Sequence, residues 1–120
     1  DYPKVTKPDI VLAMSQEALN RYAKELGPNG TLIVDSTYVQ APERDGIRMV
    51  SAPYSRIARE SLGKEIVANV VALGALAAIT GIVSLESLKQ ALLSRIPPGT
   101  EALNKKALEL GWECARQAAA

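Results

Sequence analysis

Two short apolar runs with one helical stripe between them constrain the fold of this chain more than any other feature. The first, Asp9-Ile10-Val11-Leu12-Ala13-Met14, follows Pro8 and reads as a buried strand. Ser15 then stands as an N-cap with Gln16 and Glu17 in the first turn, and Ala18, Leu19, Tyr22, Ala23 and Leu26 recur at helical spacing. Gly27-Pro28-Asn29-Gly30 stops the helix with turn chemistry, and Thr31-Leu32-Ile33-Val34-Asp35 is a second buried strand. Strand, helix and strand with short connections make a βαβ unit, so the two strands are expected to run parallel around a right-handed crossover.

The stretch from Ser36 to Asp45, with Pro42 inside it, is expected to wrap the sheet edge, and the alternation over Ile47 to Ala52 predicts a third strand. Pro53 suits the first position of a short helix over Tyr54–Leu62, ended by Gly63. From Glu65 to Thr80 the chain is apolar on all sides, which implies burial on all sides. As a helix this stretch would be about 24 Å long, short of the ~30 Å of a hydrocarbon core, and it carries the polar Asn69. A central buried helix is therefore the reading, with a membrane anchor as the lesser alternative.

Ser84 is expected to cap a helix with a stripe of Leu85, Leu88, Leu92 and Ile96, broken at Pro97-Pro98-Gly99. Thr100 caps a last helix whose apolar face is Leu103, Ala107, Leu110 and Cys114. Its other side, Glu101, Lys105, Glu109 and Glu113, reads as a solvated face with helical ion pairs, and Ala118–Ala120 as a frayed end. The fold expected is α/β: a three-layer α/β/α arrangement on a mostly parallel, Rossmann-like sheet, with C-terminal helices, forming one domain over residues 1–120. With no Phe, one Trp and four Tyr, the core has to be built from Val, Ile, Leu and Ala, which suits such a sheet.

Composition removes several chemistries from this stretch of chain. It has no His, the usual general base and commonest metal ligand. Its single Cys114 makes neither an internal disulfide nor a four-thiolate cluster site. A net charge of +1 with interleaved signs offers no stripe for nucleic acid. The start, Asp1-Tyr2-Pro3-Lys4, has neither an initiator Met nor a signal peptide, so the cytoplasm is the default compartment.

Two candidate ligand loops follow the first two strands. Parallel sheets bind ligands at the carboxyl ends of their strands, where helix amides hold anions. Ser15 and Gln16 lie at the first such end, Asp35 and Ser36 at the second. The blander readings are that Ser15 only caps its helix and that Asp35 only forms a turn. Asn69 and Gly74, inside the apolar helix, each imply a local need: a buried amide needs partners, and glycine costs helix stability. Close packing on the sheet or on a partner subunit is the reading preferred over ligand contact. Cys114 reads as packing rather than thiol chemistry, and Trp112, off the stripe beside Leu108, as a possible partner anchor.

Taken in order, Pro8 to Ala18, Gly30 to Asp35, Ala68-Asn69-Val70-Val71-Ala72-Leu73-Gly74-Ala75 running into Thr80 to Leu88, and Leu103 to Gly111 resemble the gamma subunit of 2-oxoacid:ferredoxin oxidoreductases. The Ser-Gln-Glu-Ala form at Ser15–Ala18 is nearer the 2-oxoglutarate branch than the pyruvate branch. The resemblance implies a complex that decarboxylates a 2-oxoacid on thiamine diphosphate, passes electrons through iron–sulfur clusters to ferredoxin and releases acyl-coenzyme A. It implies alpha, beta and delta-type partner subunits that carry the thiamine and the clusters, no cofactor of this chain's own, and a role here in assembly and coenzyme A access. The coenzyme A contacts expected are Ser15, Gln16, Asp35, Ser36 and Asn69. Family members usually begin with a Gly-x-Gly-Gly-Gln-Gly strand–loop–helix that is not in this sequence, so an N-terminally incomplete chain is expected. The alternative is a small stand-alone nucleotide-binding enzyme, disfavoured by the missing glycine loop.

Overall fold

A computed structural model describes residues 9–119. The readings placed on Asp1–Lys4, Pro8 and Ala120 fall outside them. The chain divides into two compact units, one up to Pro53 and one from Tyr54.

The first unit is a three-stranded parallel sheet in the order β1-β2-β3 with one helix. Its strands are β1, Ile10–Ala13, β2, Thr31–Asp35, and β3, Arg48–Ala52. Helix α1, Gln16–Tyr22, connects β1 to β2. The α/β class and the parallel pairing agree with the expectation, and β2 has the expected bounds. Central β2 is buried along most of its length, which is why its sequence is a continuous apolar run instead of an alternation. The register sets Val11 beside Leu32 and Ala13 beside Val34. These four share one face and pack with Leu19, Leu26 and Val39 into a single core. Ile33 and Asp35 alternate to the other face and are also wholly buried.

The first helix differs from the expectation at its end and at Tyr22. The α-helix stops at Tyr22 and tightens into a 3₁₀ turn over Ala23–Glu25 before the chain turns at Gly27. Tyr22 is accordingly exposed instead of lying on the apolar stripe, with the Arg21 guanidinium 5.3 Å from its ring centroid. The β2–β3 crossover, residues 36–47, contains no helix.

The second unit is helical: α2, Tyr54–Leu62, α3, Ala68–Thr80, α4, Leu85–Leu93, and α5, Glu101–Ala119. Helix α2 has the predicted span, and Gly63 follows it at φ +73°. Ser84 caps α4 by accepting from the Ser87 amide at 3.1 Å. Helix α4 ends at Leu93, so Ile96 lies beyond it in the following turn. Helix α5 continues to Ala119, further than the fraying predicted from Ala118.

The apolar run behaves as expected over α3 only, where Asn69 alone is exposed. Its first residues, Glu65–Val67, form a separate 3₁₀ turn, and Ile66 is 83% exposed. Asn69 is not the buried amide anticipated: it stands in the first turn of α3, where the helix end opens to solvent. Gly74 does serve close packing, but against a helix of the same chain. A Cβ at Gly74 would run into the Leu108 carbonyl of α5, and one at Gly111 would run into the Val71 carbonyl of α3. The crossing is therefore backbone on backbone, with a glycine on each side.

That contact also rotates α5 relative to its predicted face. The buried positions are Asn104, Ala107, Leu108 and Gly111, and Leu108 is wholly inaccessible, while Leu103, Leu110 and Cys114 are half-buried. Glu109 pairs across to Lys89 of α4 at 2.9 Å, not along its own helix. No described helix is long and apolar enough to cross a membrane.

Either glycine, replaced by alanine, forces α3 and α5 apart. Gly111→Ala is expected to destabilise the chain by about 1–3 kcal/mol, the usual cost of overpacking. Once the helices have separated, adding Gly74→Ala costs less than it does alone, so the double variant is sub-additive. Urea denaturation of both single variants and the double variant measures this; strict additivity would show that the two contacts are independent.

Candidate functional site

Parallel pairing of β1 with β2 brings the ends of both strands to one sheet edge, with Ala13 opposite Val34. The segments leaving that edge start with Met14-Ser15-Gln16 and with Asp35-Ser36-Thr37. Ser15, Gln16, Asp35 and Ser36 are thus gathered as the spacing suggested. Asn69 belongs to the second unit and lines a cleft there.

At the edge, the four side chains do different work. Ser15 has extended backbone, and its exposed Oγ accepts from the Ala18 amide at 3.1 Å, capping α1. Gln16 spends its carboxamide on the crossover: Oε1 accepts from the Gln40 amide at 2.9 Å, and Nε2 donates to the Gln40 carbonyl at 3.1 Å. Nε2 also lies 3.2 Å from Asn20 Oδ1. This two-point pairing imitates a strand neighbour for a segment that has none.

Asp35 is wholly buried, and Oδ1 accepts from the Thr37 amide at 3.2 Å, while its carbonyl accepts from Tyr38 and Val39. The turn reading therefore describes its geometry. Ser36 is exposed, and its amide donates to the Ala52 carbonyl at 2.9 Å, carrying the β2–β3 ladder one residue further. Ser15, Gln16 and Ser36 are exposed at this edge, while Asp35 is buried and holds the turn.

Arg44 was not singled out from the sequence, yet it secures the far end of the crossover. Its guanidinium donates to the Ala23 carbonyl at 2.9 Å, which also accepts from the Leu26 amide, and to the Leu26 carbonyl at 3.4 Å. The sequence signal was weak, because one arginine in a polar stretch looks like surface. Between this anchor and the helix lies a cleft of about 360 Å³ walled by Leu19, Leu32, Pro42 and Ile47.

The cleft of the second unit, about 410 Å³, is walled mainly by aliphatic side chains, including Val67, Val70, Leu92 and Leu103. Lys64, Asn69 and Asn104 supply its polar groups. Asn104 was also missed, because it falls on what reads as the packed face of α5; its Nδ2 donates to the Thr100 carbonyl at 2.9 Å. Thr100 itself turns its hydroxyl to the Pro97 carbonyl at 2.7 Å.

Cys114 sits half-buried on α5. Burial, reinforced by the neighbouring Glu113 carboxylate, pushes its thiol up from the ordinary value, away from thiolate chemistry. Among the described residues no group of three or more His, Cys, Asp or Glu could hold a metal ion.

A family model described as pyruvate ferredoxin/flavodoxin oxidoreductase matches residues 1–114. The chain belongs to that family. Within it, the chain is 42% identical to the 2-oxoglutarate synthase subunit KorC of Methanocaldococcus jannaschii, over 98% of this chain and 64% of that protein. It is 32% identical to the ketoisovalerate oxidoreductase subunit VorA of Methanothermobacter thermautotrophicus, over 96% of this chain and 24% of that protein. A solved gamma subunit of a keto/oxoacid ferredoxin oxidoreductase from Geobacter sulfurreducens matches with a TM-score of 0.87 at 41% identity, covering 98% of this chain and 67% of that one. The chain spans 64% of the length of the KorC protein it matches.

Two measurements check this geometry. Gln16→Ala removes both bonds to Gln40, so the Gln40 amide is expected to exchange its hydrogen roughly three- to tenfold faster, the equivalent of one net hydrogen bond. Unchanged exchange would mean that Gln16 does not hold the crossover. The Cys114 thiolate, followed by its ultraviolet absorbance, is expected to appear at a pH above the ordinary cysteine value. Glu113→Gln lowers that midpoint only in part, because burial remains.

Proposed function

We propose that this chain forms part of the gamma subunit of a 2-oxoglutarate:ferredoxin oxidoreductase, where it serves assembly and coenzyme A access and not the redox steps. The observation that carries the reading is the 42% identity to KorC along nearly the whole chain, against 32% to VorA. The reaction read for the complex is oxidative decarboxylation of 2-oxoglutarate to its coenzyme A thioester, with the electrons passed to ferredoxin. Thiamine diphosphate and the iron–sulfur clusters are assigned to alpha, beta and delta-type subunits. This chain offers one thiol, on a helix face where its pKa is raised, and no imidazole, which is a poor donor set for an iron–sulfur cluster. The cytoplasm is the compartment this reading implies.

In this reading Ser15 and Ser36 contact coenzyme A directly through their exposed hydroxyls. Gln16 and Asp35 act as positioning residues, since Gln16 holds the Gln40 backbone and Asp35 Oδ1 accepts from the Thr37 amide. Asn69, expected with them, lines a cleft of the second unit and is a separate candidate contact.

Co-expression of the gamma subunit with the thiamine- and cluster-bearing subunits tests the proposal. The subunits are expected to co-purify, and ferredoxin reduction is expected to depend on coenzyme A. The kcat/KM for 2-oxoglutarate should exceed that for 2-oxoisovalerate by about tenfold or more, a difference of ~1.4 kcal/mol in transition-state binding. Equal activity of a complex lacking the gamma subunit, or a preference for the branched oxoacid, would overturn it.

A further inference from the structure

The cleft in the second unit has the construction of a recognition site for polypeptide. It opens where two helices begin, since Asn69 lies in the first turn of α3 and Thr100 precedes α5. Both ends present the positive pole of a helix of 13 or 19 residues. Lys64 is the one charged side chain among the described residues lining the cleft, so its field is cationic. The Glu101 carboxylate nearby is already held on the Gly99 amide at 2.9 Å.

Asn104 is the second observation. It is only 8% exposed, and its Nδ2 is used on the Thr100 carbonyl. Among the described residues no partner donates to its Oδ1, yet no wholly buried side-chain oxygen or nitrogen is left unpartnered. That oxygen therefore opens into the cleft: an acceptor fixed at the base of an aliphatic wall.

A carboxamide oxygen of this chain already accepts from a backbone amide, Gln16 Oε1 from Gln40 at 2.9 Å. Ile66, 83% exposed, extends the aliphatic surface at the rim. A small ligand lodged in the cavity would not need that extension, whereas a segment of chain passing over the rim would use it.

The geometry points to a docking site for an extended segment of a partner polypeptide. The segment places an aliphatic side chain between Val70 and Leu103, donates a backbone N–H to Asn104 Oδ1 and sets an Asp or Glu carboxylate near Lys64. This goes beyond the oxoacid reading and does not depend on it, because binding is read on this chain alone.

The test is a nuclear magnetic resonance titration of the full chain with a blocked peptide of two leucines followed by two aspartates. Saturable shifts are expected at the Asn104 side-chain amide and the Val70 and Leu103 methyls. The same peptide with lysines in place of the aspartates, or with its backbone N-methylated, is expected to bind more weakly. Lys64→Glu alters an exposed residue and should leave the fold intact. It is expected to weaken the acidic peptide about threefold and to reverse the preference towards the basic one. The proposal is overturned by no saturable shift at the cleft, or by a charge preference that ignores Lys64→Glu. It is equally overturned if decanoate shifts these signals while the acidic peptide does not, which would mark a site for small anionic amphiphiles.

Discussion

Where α3 meets α5, backbone rests on backbone, and the helical unit is arranged around that contact. Gly74 faces the Leu108 carbonyl and Gly111 the Val71 carbonyl. No side chain separates the helices there, so α3 can be buried along almost its whole length by neighbours that approach closely. The contact also sets the rotation of α5: with Gly111 against α3, Leu108 and Ala107 must point inward and Leu110 and Cys114 move towards the rim. The cost of two glycines inside helices, about 1 kcal/mol each relative to alanine, is offset by dispersion contacts along a crossing closer than side chains would permit.

The sheet unit meets a different requirement. Its β2–β3 crossover lacks a helix, so the backbone groups of residues 36–47 need partners from elsewhere. Asp35 supplies one with its turn, Gln16 two on Gln40, and Arg44 ties the far end to the carbonyls of the first helix. Residues that look from the sequence like ligand groups at strand ends therefore spend much of their hydrogen-bonding capacity on the loop. A strand end in a parallel sheet is where ligands bind and also where the chain must turn, so the same polar residues suit both tasks. Ser15 and Ser36 remain exposed.

Family membership explains why a chain without histidine and with one thiol can belong among oxidoreductases. A fold does not by itself fix a function. This fold provides a parallel sheet edge in one unit and, in the other, an aliphatic cleft with the exposed Ile66 at its rim.

The sequence by itself determined the strands, the parallel βαβ unit, the α2 helix, the caps at Ser15 and Ser84 and the buried character of α3. Each is local: an apolar run, a capping oxygen or a glycine acts within a few residues. It also determined the family, through blocks spread along the chain in order. Only the tertiary structure decided that Asn69 is exposed, that Gly74 serves a helix crossing, that Leu108 and not Leu110 is the wholly buried leucine of α5, and that Gln16 clasps Gln40. Those outcomes depend on which element lies opposite, across separations of 24 residues for Gln16 and Gln40, and periodicity along one segment holds no information about its neighbour.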